Sequence, residues 1–286
     1  MNHRIVPLSA GLTFVATPIG TARDITLRAL DVLASADVLA AEDTRTLRKL
    51  MEIHGVPLQD RQIVAYHEHS APAVRDRLVA EMQLGKSVAY ASEAGTPLVA
   101  DPGYQLARAA IEQDVAVDST PGASAILAAL TIAGLPSDRF FFAGFAPSSK
   151  TQRRTWLSEL RDISGTLVLY ESPKRLHGLL TDAGDSLGQG REAVICRELT
   201  KKFQEVARGT LGSLSEDFRS RTIKGEVVVL IDRPGKVDAG EKDIEAALKD
   251  ALKSHSVKDA ATVVAGALSV PRREVYQMAL GLGKKQ

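Results

Sequence analysis

Short apolar runs alternate along the chain with stretches whose apolar positions recur at helical spacing. Residues 12–16, 38–41, 62–66, 87–91 and 115–118 read as strands. Between them, 25–35, 44–54, 72–83 and 104–113 read as amphipathic helices. This alternation predicts a mostly parallel sheet with helices on both faces. A second series begins after Pro121. It has helices at 123–132, 151–160 and 174–183, and strands at 139–143, 166–171 and 193–198. Strands at 203–209 and 226–232 follow, with 213–219 helical between them. Such close succession predicts antiparallel pairing, and so a mixed sheet in the second unit.

Arg233-Pro234-Gly235 breaks the pattern. Beyond it, 243–254, 257–268 and 271–281 read as three short helices. Pro271 suits a first helical position, and Val270 before it is pushed out of the helical region. This layout resembles a helix-turn-helix unit; a helical cap or a dimer contact is the other reading. The expected division is an N-terminal α/β domain over 1–119, a second α/β domain over 120–235 and a helical extension over 236–286.

At 286 residues the chain is too long for one small core. Its 44% hydrophobic and 25% charged residues are ordinary for a soluble protein. The net charge of +1 gives no overall steering, so nucleic-acid contacts must come from local clusters of Lys and Arg. The single cysteine, Cys196, forbids an intrachain disulfide. In its apolar run it reads as a small buried hydrophobe rather than a reactive thiol. The first residues show no apolar core ending in a small-residue cleavage site, which predicts a cytoplasmic protein. The longest uncharged run, 119–137, is broken by Pro121, Gly122, Gly134 and Pro136 and reads as a buried helix, not a membrane span.

Several chemistries have no signature here. There is no Walker loop, no strand followed by G-x-G-x-x-G, no G-x-S-x-G elbow and no Cys/His zinc spacing. His67-Glu68-His69 has metal-ligating residue types, but alternating residues at a strand end read first as exposed, and no metal is expected. What recurs is a polar, turn-forming segment after each strand of the first series. These are Thr17-Pro18-Ile19-Gly20, Glu42-Asp43-Thr44-Arg45, His67 to Ser70, Ser92 to Pro97 with Asp101-Pro102-Gly103, and Ser119 to Ser124. In a parallel sheet these ends share one edge, where ligands bind. Basic clusters follow the strands of the second series: Lys150, Arg153 and Arg154; Lys174, Arg175 and His177; Arg197, Lys201 and Lys202. Cations are not favoured at helix starts, so these read as a rim for RNA phosphates, against the alternative of surface salt bridges.

The ordered segments V-A-T-P-I-G (15–20), A-E-D-T-R (41–45), S-E-A-G-T-P-L-V-A-D-P-G (92–103), T-P-G-A-S-A (120–125), Y-E-S-P-K-R-L (170–176), R-E-L-T-K (197–201) and K-G-E-V-V (224–228) closely resemble the ribosomal RNA small subunit methyltransferase I family. The likeness covers roughly 12–232, and the helical tail is similar to that family's C-terminal extension. It implies the two-domain tetrapyrrole-methylase fold, with S-adenosylmethionine in the cleft. It also implies 2′-O-methylation of a cytidine in the decoding centre of 16S rRNA, on free rRNA or the small ribosomal subunit, by a homodimer. The family usually has Asp where this chain has Glu93, Asn at Thr21 and Ser70, Pro at Ala123, His at Lys174 and Glu at Gln204.

Candidate cofactor contacts are Pro18, Gly20, Ser92, Glu93, Ala94, Gly95, Thr96, Pro97, Gly122, Ala123 and Ser124, with Tyr170, Gly225 and Glu226 from the second domain. A ribose hydroxyl needs a base, for which Glu93, Asp101 and His67 lead, with Asp43 and Glu171 also open. Arg45, Lys150, Arg153, Lys174, Arg175, Arg197 and Lys201 are the candidate RNA contacts. Two rivals remain at this stage: a porphyrin or corrin methyltransferase of the same fold, and a non-enzymatic RNA-binding protein.

Overall fold

The computed structural model describes residues 2–100, 103–235, 241–268 and 270–283. The first series forms β1 (Gly11–Val15), α1 (Leu27–Ser35), β2 (Val38–Ala41), α2 (Thr44–Ile53), β3 (Ile63–Ala65), α3 (Pro72–Gln83), β4 (Ser87–Ala91), α4 (Tyr104–Glu112) and β5 (Val117–Thr120). Its sheet has the order β3-β2-β4-β1-β5, with every pair parallel. Alternate residues serve opposite faces. Val15, Leu39, Ala41, Ala89 and Ala91 pack with α1 and α2. Leu12, Phe14, Ala40, Val88 and Tyr90 pack with α3 and α4. β4 is buried at every position because it lies between two strands and two helical layers. Each fully buried leucine contributes ~1.5–3 kcal/mol of transfer free energy.

The second series forms α5 (Ala125–Ala133), β6 (Phe140–Phe145), α6 (Lys150–Glu159), β7 (Thr166–Glu171), α7 (Leu176–Leu187), β8 (Glu192–Arg197), β9 (Glu205–Thr210), α8 (Leu211–Asp217) and β10 (Val227–Ile231). The sheet order is β6-β7-β10-β8-β9, with β6–β7 parallel and the other pairs antiparallel. Leu167, Leu169, Ile195 and Val229 face α6, α7 and α8. Val168, Val194, Cys196 and Leu230 face α5. Cys196 is buried, and burial pushes its thiol up to about 11, which leaves it an inert hydrophobe.

Local chemistry sets the ends that periodicity misplaced. Residues 25 and 26 precede α1 because the Thr26 hydroxyl accepts from Ala29 N and caps the helix. The strand expected at 115–118 runs two residues later, since Leu12 N bonds Ala116 O and Leu12 then pairs with Val117. Its outward sequence V-D-S-T carries almost no burial signal to mark it.

The C-terminal helices are α9 (Glu241–Ala251), α10 (Val257–Leu268) and α11 (Arg272–Gly283). They share a small core in which Ile244, Leu248, Ala260, Val264 and Val275 are buried. Among the described residues, no helix is long and apolar enough to cross a membrane.

Candidate active site

The strand ends of the first sheet meet the second domain around a cavity of about 660 Å3. Pro18 to Gly20 follow β1, Glu42 and Thr46 follow β2, and Glu93 to Thr96 follow β4. The opposite wall is Phe145 at the end of β6, Tyr170 to Pro173 at the end of β7, Lys201, and Gly225 to Val228 leading into β10.

Backbone bonds fix the first wall. Thr17 N donates to Gly95 O at 2.9 Å, and Gly95 N returns to Thr17 O at 3.0 Å. The Ser92 hydroxyl donates to Gly95 O at 2.7 Å, and Thr96 Oγ1 to Ala123 O at 3.0 Å. Gly95 has φ of +82°, so the turn needs glycine. Of the six non-glycine residues with positive φ among the described residues, Ala100 lines the cavity, Leu98 and Thr200 adjoin the lining residues Val99 and Lys201 in sequence, and Glu198 accepts from Lys201. Such strain is held only where the surroundings enforce it, and it clusters at functional sites.

The second wall is braced internally by Lys201. Its ammonium donates to Glu198 Oε1 and Glu226 Oε2, each at 2.9 Å. Burial pulls the Lys201 pKa down, but those two bonds outweigh it and leave it above the ordinary value. Thr21 N donates to Thr200 Oγ1 at 3.2 Å, across the domains. Tyr170 packs edge-on against Phe142 and Phe145, with ring centroids 4.9 and 5.5 Å away. Burial first, and Glu226 second, push its phenol up to about 12, so it stays protonated at neutral pH. Gly225, at φ +92°, closes against Glu198; a Cβ there would collide with the Glu198 carboxylate. Gly225→Ala is therefore expected to break the Lys201 link and weaken S-adenosylmethionine binding by about tenfold or ~1.4 kcal/mol, read by calorimetry; unchanged affinity would refute it.

A second hollow of about 500 Å3 adjoins the first. It shares Pro18, Gly20, Thr46 and Glu93, and adds Asp43, Arg45, Lys49, Leu50 and Ile53. Glu93 thus stands on the wall between the two. Asp43 caps α2 by accepting from Arg45 N at 2.7 Å. The hydrogen bond from the Arg45 side chain is the main cause that brings its pKa to about 2. So acidic a carboxyl is a poor general base.

Of the fourteen cofactor candidates, the cavity is lined by Pro18, Gly20, Glu93, Ala94, Gly95, Thr96, Ser124, Tyr170, Gly225 and Glu226. Ser92 and Ala123 stand behind the wall, holding its loops. Gly122 passes against Ala16, where a Cβ would come within 2.7 Å of the Ala16 Cβ, and Pro97 is buried without lining the cavity. His67 lines neither hollow, because β3 is the edge strand of its sheet and its loop ends outside both. Asp101 lies outside the described residues. Glu171 is buried; its Oε1 accepts from Ser172 N at 2.7 Å and its Oε2 lies 3.1 Å from an Arg175 nitrogen.

The basic candidates divide. The Arg45 side chain is 90% exposed, and Lys150 and Lys174 are exposed. Arg153 is a correction: its buried guanidinium bonds Asp182 at 2.5 Å and is not presented to RNA. Arg175 pairs with Glu171 and donates to Ala146 O and Pro147 O. Arg197 pairs with Glu205 at 2.9 Å. Sequence reasoning missed Ile19, Thr46, Val99, Phe145, Ser172 and Val228 on the cavity wall. Thr46 and Val228 sit inside regular elements, where a helical or strand pattern hides a ligand contact. Among the described residues, no group of three or more His, Cys, Asp or Glu side chains is placed to hold a metal.

The family model for Tetrapyrrole (Corrin/Porphyrin) Methylases matches residues 11–215, and that for the RsmI C-terminal HTH domain matches 238–283. A protein named ribosomal RNA small subunit methyltransferase I from Mesorhizobium japonicum is 45% identical over 278 residues, covering 96% of this chain and 93% of its own. The chain belongs to the ribosomal RNA small subunit methyltransferase I family. A family member from Halalkalibacterium halodurans is 40% identical and is covered over 93% of both chains. Among solved structures, the family's fold is shared by the methyltransferase CobJ, with TM-score 0.60 and 17% identity over 79% of this chain and 95% of that one. It is also shared by uroporphyrin-III C-methyl transferase from Thermus thermophilus complexed with S-adenyl homocysteine, with TM-score 0.52 and 18% identity over 77% and 96%. The α/β tetrapyrrole-methylase fold with a helix-turn-helix-like C-terminal unit agrees with the sequence expectation.

Proposed function

We propose that this chain uses S-adenosylmethionine to methylate the ribose 2′-oxygen of a cytidine in the decoding centre of 16S rRNA. The observation that carries this reading is the convergence of the family's motifs on one cavity, in a chain 45% identical to a named rRNA methyltransferase.

The cavity fits that cofactor. Its volume lies within the ~300–1,000 Å3 of small-molecule sites. Glu42 and Glu93 line it, which suits the positive sulfonium and ammonium groups, while Ile19, Val99, Tyr170 and Val228 offer an apolar bed for the adenine. S-adenosylmethionine, when bound, supplies a methyl group on positively charged sulfur. Main-chain groups of residues 93–96, with Pro18 and Gly20, would hold it from the first domain, and Tyr170, Gly225 and Glu226 from the second.

The acceptor nucleotide enters through the adjoining hollow, with Leu50 and Ile53 beneath the base and Arg45 and Lys49 toward phosphate. Glu93, common to both hollows, takes the proton from the ribose hydroxyl onto its carboxylate as the oxygen attacks. Alignment of the acceptor supplies much of the acceleration. Arg45, Lys150 and Lys174 neutralise RNA phosphates along the rim. The protein acts as a homodimer in the cytoplasm, needs no metal, and divides at 119/120 and 235/236.

Two measurements test the reading. Small-subunit rRNA from cells lacking the protein should lack one ribose methyl group by mass spectrometry. Purified protein should transfer labelled methyl to those subunits and not to uroporphyrinogen. Label in the porphyrin alone would reverse the assignment.

A further inference from the structure

The geometry points to a second RNA contact site on the C-terminal helices, formed by Lys258, Arg272, Arg273 and Tyr276 and separate from the cofactor cavity. It rests on the RNA reading above. These four side chains line a shallow hollow of about 280 Å3 on α10 and α11. All four are exposed, with Tyr276 at 36%.

The charge pattern of the unit singles out this face. On α9, Lys249 pairs with Glu245 at 2.7 Å, and just after it Lys253 pairs with Asp250 at 2.9 Å. Lys258, Arg272 and Arg273 have no ion pair among the described residues. The acid nearest Lys258 in sequence, Asp259, is engaged at the start of α10: it accepts from Ser256 Oγ at 2.6 Å, and Ser256 Oγ accepts from Asp259 N. Glu274, in the first turn of α11, does not line the hollow.

The stability of the helix does not account for the arginines. Arg272 and Arg273 stand at the start of α11, where the helix dipole opposes positive charge. Arg272 is oriented, since its Nε donates to Thr262 Oγ1 of α10 at 2.9 Å. Three unmatched cations beside an exposed aromatic ring are the chemistry that binds a phosphodiester backbone carrying an unstacked base. That describes a looped or single-stranded RNA segment better than a regular duplex. The site acts as an anchor, raising the local concentration of the acceptor strand at the cofactor cavity.

The test uses the full-length chain and small ribosomal subunits from cells lacking the protein. The triple variant Lys258→Ala, Arg272→Ala, Arg273→Ala is expected to bind subunits about tenfold or more weakly at low salt. Its plot of log affinity against log salt should be shallower by about 2–3. Tyr276→Ala is expected to weaken binding by about fivefold or more, with the salt slope kept. An Arg272→Lys, Arg273→Lys variant should retain the slope. S-adenosylmethionine affinity by calorimetry should be unchanged in all of them, which shows that the rest of the fold is intact.

Wild-type affinity and salt slope in the triple variant, while the wild-type protein methylates subunits, would overturn this inference alone. A wild-type protein that neither methylates nor binds subunits removes the RNA reading and this inference with it. Binding to phosphatidylserine vesicles but not to RNA, lost in the triple variant, would likewise overturn it.

Discussion

Glu93→Ala is expected to lower the rate of methyl transfer to small subunits by about 100- to 10,000-fold, the usual contribution of a positioned base. Three facts support this. Glu93 lines both the cofactor cavity and the adjoining hollow. Three of its rivals are constrained: Asp43 is held near pKa 2 by Arg45, Glu171 is engaged by Ser172 and Arg175, and His67 lines neither hollow. Its side chain is exposed, so its loss should cost the fold little. Tm should therefore stay close to wild type. Glu93→Asp should keep most activity, since aspartate is usual at this position in the family. Single-turnover incorporation of labelled methyl reads the effect. A normal rate in the alanine variant would remove Glu93 from the mechanism.

The largest expected loss of stability lies far from that chemistry, at Asp182. Its side chain is 2% exposed and accepts from Arg153 Nε at 2.8 Å and Nη2 at 2.5 Å. Arg154 lies 3.5 Å from its other oxygen. Asp182→Ala leaves the Arg153 guanidinium buried without its counter-charge, which costs about 3–5 kcal/mol. Denaturant unfolding should show that shift. The double variant Arg153→Met, Asp182→Leu should recover most of it, because two apolar groups of similar volume carry no desolvation cost. A single variant as stable as wild type would refute the account.

The fold was legible because burial writes two different periods into this sequence. Residues 72–83, 87–91 and 166–171 coincide with α3, β4 and β7, each bounded by Pro, Gly or charged residues. β5 slipped by two residues because an edge strand reading V-D-S-T has almost no apolar alternation. The strand-end glycines and prolines marked the cavity well, since a bent backbone at a sheet edge needs those residue types. Side-chain direction was not legible. Nothing in R-R at 153–154 says that one arginine turns inward to Asp182 and the other outward to Asp185. The turn His67 to Ser70 is polar like the other strand ends; the strand order puts it at the sheet margin.

The two lips of the cleft are fastened by different forces. One is pinned by paired main-chain bonds between Thr17 and Gly95, which ionic strength hardly touches. The other depends on an ammonium shared by two carboxylates, an attraction that dissolved ions weaken. Breathing of the mouth therefore belongs to the second lip, so the pace of product escape should track the electrolyte around the enzyme.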